Sequence, residues 1–131
     1  MVHHTPMLPF RVQFKAGAHA YEQVVYAVKK AIISGALRPG DRFPSVRVLS
    51  QELRINPNTA QKAVAALTGE GLLTVQPGIG TLVADGHPAT KEELGELLGG
   101  DVERVVVEAR KLHLDLDDLL QAIKKHWNRL S

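Results

Sequence analysis

The dipeptide Asn56-Pro57 constrains this chain more tightly than any other feature of its sequence. Asparagine is a strong N-cap, and proline is favoured at the first helical position, where its missing N–H has no intrahelical partner to lose. A helix therefore starts there. Its small apolar stripe, Ala60, Ala63, Val64 and Leu67, runs to about Glu70 before Gly71 stops it. Only Arg54-Ile55-Asn56 separates this helix from a shorter one that Ser45 caps, with Val46, Leu49 and Leu53 as the inner stripe and an end near Arg54. Two helices joined so closely read as a helix-turn-helix, with Ile55 as the apolar residue that plugs the corner.

The flanking segments complete a small fold around that pair. Upstream, Tyr21, Val24, Val25, Val28 and Ile32 recur at helical spacing and Gly35 ends the run, after which Pro39-Gly40 suits the centre of a type II turn. The alternation Phe10-Arg11-Val12-Gln13-Phe14 predicts a short half-buried strand. Downstream, Leu72 to Val75 and Thr81 to Val83 flank Gln76-Pro77-Gly78-Ile79-Gly80 and predict a hairpin, a wing beside the helices. Beyond a polar link from Asp85 to Pro88, Thr90 caps a pattern with Leu94, Leu97, Leu98, Val102, Val105, Ala109 and Leu112 in helical phase. Gly99-Gly100 weakens that pattern by about 1 kcal/mol per glycine, and whether the pair breaks one helix is left open. Asp115 opens a last amphipathic helix carrying Leu119, Leu120, Ile123, Trp127 and Leu130. The expected fold class is mostly α with a small β-hairpin wing: a winged helix-turn-helix domain over 1–85 and a two-helix tail over 86–131.

Chemistry points the same way. On the third helix Asn58, Thr59, Gln61 and Lys62 cluster opposite the apolar stripe, and such side chains can hydrogen-bond base edges or phosphates. Ser45 and Arg47 stand at the start of the preceding helix, where unpaired N–H groups suit an anion. The stretch Arg38 to Lys62 has five basic residues against two acids. The whole chain carries only +2, but Met1 to Ala89 holds nine lysines and arginines against five acids, whereas Thr90 to Ser131 holds seven against nine. Charge so divided suggests two jobs, the basic half being the one suited to an anionic polymer.

Several function classes are disfavoured. With no cysteine there is neither a disulfide framework nor a zinc-cysteine site. His19, His87, His113 and His126 show no HExxH spacing, and Gly78-Ile79-Gly80 is too short for a nucleotide-binding fingerprint, so no enzyme and no cofactor or metal is expected. No apolar run approaches the roughly 18 residues of a membrane span, and Met1 to Pro6 lacks the layout of a signal peptide, so the expected location is the cytoplasm.

Several blocks, in order and spacing, resemble the GntR family signature: Tyr21 to Val24, Gly35 to Ser50, Asn56 to Ala60, Glu70 to Leu73 and Gly78 to Val83. The likeness spans about Phe10 to Ala84, and Val105 to Leu120 is similar to the two-helix tail of the YtrA subfamily. The resemblance implies a DNA-binding transcription regulator, a repressor working as a homodimer on double-stranded operator DNA with an inverted repeat. By position it implies that Arg47 reaches a guanine edge or the adjacent backbone, that Ser45 and Thr59 hold phosphates, and that Asn58 and Lys62 lie in or beside the major groove. Arg38 and Gln61 join the expected DNA-binding set, and Gly78 lets the wing approach closely. Pro57 stands where many relatives have arginine, and Ile79 near a usual basic position, so fewer charged contacts are expected. The tail is implied to dimerise through Val105, Leu112, Leu119, Leu120, Ile123 and Trp127. Two alternatives stay open: an effector- or metal-responsive regulator whose site at the dimer interface uses His113, His126 or Trp127, and a winged helix that binds protein rather than DNA.

Overall fold

A computed structural model describes residues 8–130. The chain divides into two compact units, one ending at Gly86 and one beginning at His87.

In the first unit, helix α1 (Ala20–Ser34) is followed by α2 (Val46–Leu53), α3 (Pro57–Gly69) and the hairpin strands β1 (Leu73–Gln76) and β2 (Gly80–Val83). The antiparallel register pairs Leu73 with Val83 and Gln76 with Gly80. Both α1 and α2 pack on α3, whose stripe of Ala60, Ala63, Val64 and Leu67 is buried as the periodicity requires. The small side chains on α3 let the neighbouring helices come close, and the larger volume comes from Val24, Val28 and Leu49, all at 0% exposure like Leu67. Full burial of such a side chain contributes about 1.5–3 kcal/mol.

The turns follow their local chemistry. Gly35 ends α1 in the left-handed region, and in the Pro39-Gly40 turn the Asp41 N–H donates to the Arg38 carbonyl with Gly40 at φ 87°. At the close of α2 the Arg54 N–H donates to Gln51 and the Ile55 N–H to Ser50, a Schellman pattern with Arg54 itself at φ 54°. Ile55 is half-buried against the core, as its place in the turn requires.

Two features depart from expectation. Phe10 to Phe14 forms no strand. Phe10 is buried and stacks on Phe43, with ring centroids 6.0 Å apart, and Val12 packs against the core, whereas Phe14 is exposed, so the alternation reflects one-sided burial of only the first part of this arm. The wing in turn gains a neighbour that local patterning did not announce: Arg42 bridges to Leu82, the Phe43 N–H donates to Thr81, and the Val83 N–H donates to Asp41.

The second unit opens with α4 (Lys91–Gly95), which is capped reciprocally by Thr90 and Glu93. A π-helical segment (Glu96–Asp101) leads directly into α5 (Val102–Lys111). Gly99 and Gly100 lie inside that segment, and the backbone stays right-handed helical on either side of it, so the glycine pair widens the helix without breaking it. Widening by one residue turns the downstream stripe by roughly 100°. The residues from Leu94 to Leu112 therefore do not share a single phase. Helix α6 (Leu116–Arg129) follows a turn in which His113 takes φ 59°. Asp115 occupies the N-cap of α6, and its side chain makes no capping hydrogen bond. Among the described residues of this unit only Ala109 is buried. No helix among the described residues is long and apolar enough to cross a membrane.

Candidate nucleic-acid interface

Three structural pieces of the first unit carry the candidate residues. At the head of α2, the Ser45 hydroxyl accepts the Val48 N–H at 3.2 Å, which fixes the first turn while its own proton can still donate to a phosphate oxygen. Arg47 is exposed in that turn. The Ser50 hydroxyl is buried beneath it and donates to the Arg47 carbonyl at 2.9 Å, so the backbone that bears the arginine is held from below.

Helix α3 starts as the sequence dictates, with Asn56 Oδ1 accepting the Asn58 N–H at 2.8 Å and Pro57 in the first turn. Asn58, Gln61 and Lys62 are exposed together on its outer face, whereas Thr59 is half-buried at the edge of the core and offers less of itself to a ligand. Arg47 and Lys62 form no ion pair among the described residues, which leaves both charges for an external anion. The contrast is Lys29, which is held by Glu70 at 2.8 Å.

The wing supplies the third piece. Gly78 is exposed at its tip, in a Pro77-Gly78 turn closed by the Ile79 N–H to the Gln76 carbonyl. Its φ of 77° suits glycine, and a Cβ built there meets nothing within 4 Å, so turn geometry alone explains the residue. Arg38 is exposed in the turn before α2, where its backbone N–H donates to Asp41 Oδ2 at 2.8 Å. It sits near the base of the wing, since Gly40 in the same turn donates to the Val83 carbonyl. The exposed candidates are thus Ser45 and Arg47 at the head of α2 and Asn58, Gln61 and Lys62 on the outer face of α3, with Arg38 and Gly78 on flanking turns.

Two further exposed residues belong to the same elements: Ala65, which sequence reading did not single out, and Arg42, which it counted only within the basic stretch from Arg38 to Lys62. Ala65 is exposed one turn beyond Gln61 and Lys62, and its i+4 and i+3 spacing from them was the available signal. A methyl there suits contact with thymine. Arg42 is exposed where the segment before α2 meets β2, a placement that follows from pairing between distant residues.

Comparison with known proteins gives this surface its context. Residues 20–83 match the family model described as bacterial regulatory proteins, gntR family. The chain is similar to the HTH-type transcriptional repressor YtrA of Bacillus subtilis, at 33% identity over 113 residues covering 79% of this chain and 86% of that protein. Among solved structures, a GntR family transcriptional regulator from Listeria monocytogenes aligns with TM-score 0.66 and 25% identity, covering 86% of this chain and 98% of that one. A transcriptional antiterminator from Listeria monocytogenes EGD-e shares the fold at TM-score 0.86 and 20% identity, covering 96% and 94%. The family model and the Bacillus subtilis relative are those of transcription regulators and not of enzymes. The chain belongs to the GntR family of DNA-binding transcription regulators, in its YtrA-like branch.

Proposed function

We infer that the protein is a repressor that occupies an inverted-repeat operator as a homodimer, with a head (1–85) that reads DNA and a tail (86–131) that dimerises. The single observation that carries this reading is the apolar surface of the tail. Val105, Leu112, Leu120, Ile123 and Trp127 are all exposed, Leu112 at 65% and Trp127 at 77%, while Leu119 is half-buried. So many large apolar side chains on one small unit exceed what a soluble monomer ordinarily leaves in water. A second copy brings an identical surface, and a twofold pair presents two recognition helices in opposite directions, which a near-palindromic site matches. The name of the Bacillus subtilis relative supports repression. A regulator of this kind works on the chromosome, in the cytoplasm.

In this reading Arg47 contacts a base or the adjacent backbone, Asn58, Gln61 and Lys62 enter or border the major groove, Ser45 and Thr59 hold phosphates, and Arg38 and Gly78 flank the site. Gel-shift titration on the DNA upstream of the protein's own gene tests it. Arg47→Ala should weaken operator binding more than binding to random DNA, by about 1–3 kcal/mol of discrimination for a bidentate base contact. Equal loss on both DNAs would move Arg47 to the backbone, and no salt-dependent binding to any such fragment would refute the function.

An effector-responsive version is favoured by one observation. A cavity of about 420 Å³ lies in the elbow between α5 and α6, with Arg110, His113 and Asp115 around the buried Ala109. His113 belongs to that lining, whereas His126 and Trp127 do not.

A further inference from the structure

The extended arm and α1 enclose a second cleft, of about 580 Å³, within the head. Its base is half-buried Val12, Gln23 and Ala27. Arg11 and Lys15 line it from the arm, and Tyr26 and Lys30 from one face of α1, with the Lys30 Nζ 5.5 Å from the centre of the Tyr26 ring. Against these three cations stands one carboxylate, Glu22. The walls are fixed in advance. Gln23 Oε1 accepts the Lys15 N–H at 2.8 Å, and Gln23 Nε2 donates to the carbonyls of Lys15 at 2.9 Å and Ala18 at 3.1 Å.

The cleft lies on the outer side of α1, whose inner side carries the buried Val24, Val28 and Ala31. The arm connects it to α2, because Phe10 at its start stacks on Phe43 with planes 8° apart, and Phe43 precedes Pro44 and Ser45 at the head of α2.

The geometry points to a binding site for a small aromatic anion, its ring against Tyr26 and its acidic group among Arg11, Lys15 and Lys30, with occupancy passed along the arm to the start of α2. The volume is that of an ordinary small-molecule site, and an exposed ring beside cations favours a planar ligand with negative charge. The coupling to α2 rests on the DNA-reading function above, but ligand binding does not.

The test is a titration of the intact protein, without DNA, with phenyl phosphate as probe and with phenol and inorganic phosphate as controls, followed by amide NMR. Saturable shifts are expected in residues 11–30 and, through the arm, in residues 43–47, with phenyl phosphate binding at least about tenfold more tightly than either control. Tyr26→Ala and Lys30→Glu should each weaken binding about tenfold while leaving the rest of the spectrum dispersed as before. Shifts confined to the tail, binding that survives both substitutions, or equal affinity for inorganic phosphate would overturn the site. Lys30→Glu should leave operator affinity in the absence of probe unchanged; a weaker, less salt-dependent complex would give the cleft to the DNA backbone and overturn the proposal as well. Loss of the operator-binding reading alone would leave the probe titration intact.

Discussion

Head and tail solve the burial problem differently. The head closes a core around Val24, Val28, Leu49, Ala60, Ala63 and Leu67, every one of them at 0% exposure. The tail has as strong an amphipathic pattern, yet Ala109 is its one buried residue among those described. Helices of this length gain most of their stability from packing an apolar face rather than from propensity. A head that has packed that face on itself can fold alone, and a tail that has not draws its stability from what covers it. On that difference rests the proposed division of roles, a head that reads DNA and a tail that a second copy covers.

The largest expected effects contrast the two kinds of apolar residue. Leu67→Ala in the head should lower the unfolding free energy by about 2–5 kcal/mol, measured by urea denaturation. Ile123→Asp in the tail should leave the unfolding of the head unchanged and instead raise the dimer dissociation constant by about 30-fold or more, the ratio corresponding to about 2 kcal/mol. If Ile123→Asp destabilised the head as much as Leu67→Ala does, the two regions would not be separable in this way.

A smaller effect belongs to the recognition helix. Asn56→Ala removes the acceptor for the Asn58 N–H and should cost about 1 kcal/mol of head stability. Operator binding should weaken with it, because Asn58 and Lys62 depend on where α3 begins. Unaltered stability would mean that water or a neighbouring group replaces the cap.

Smallest is a pH effect confined to the tail. The backbone N–H of Thr90 first, then its hydroxyl, hold the Glu93 carboxyl below its ordinary value, with His87 adding to the lowering. A depressed folded-state value means that the capping box stabilises α4 fully above the ordinary glutamate range, near about 4.3. The stabilisation is lost as pH falls through the lowered value. Glu93→Gln keeps the reciprocal hydrogen bond and should abolish this titration in NMR spectra of α4, whereas the head should show no matching change. An identical acid response in wild type and Glu93→Gln would show that the cap does not set it.

How far the fold could be read from the chain depended on the range of the interactions concerned. Asn56-Pro57, Pro39-Gly40 and Gln76-Pro77-Gly78 act through backbone preferences and hydrogen bonds within a few residues, so the turn, the recognition helix and the wing were legible locally. The pairing of Arg42 with Leu82 joins residues far apart in sequence and left no periodic trace. The alternation from Phe10 to Phe14 misled for a related reason, since period two reports which side is buried and not whether another strand is there to pair. Gly99-Gly100 signalled weakness but not its form, and the π-helical turn that absorbs it shifts the downstream face in a way an ideal helical count misses. At the site, the outer positions of α3 followed from periodicity, except that Thr59 turns partly inward. The place of Arg42 beside the wing and the cleft beside α1 depend on tertiary placement and could not be found in the same way.

Sedimentation equilibrium of the intact chain and of a chain ending at Ala89, followed by titration of each on DNA with one and with two half-sites, addresses the division of labour most directly. The intact protein should sediment as a dimer and the shortened one as a folded monomer. Linkage of two heads should make the intact protein bind the two-half-site DNA more tightly than the isolated head does, by about 10²–10⁴. A monomeric intact protein, or a shortened head that binds the full operator as tightly as the whole chain, would contradict a dimerising tail and leave its exposed leucines, valines and isoleucine to be covered by something else.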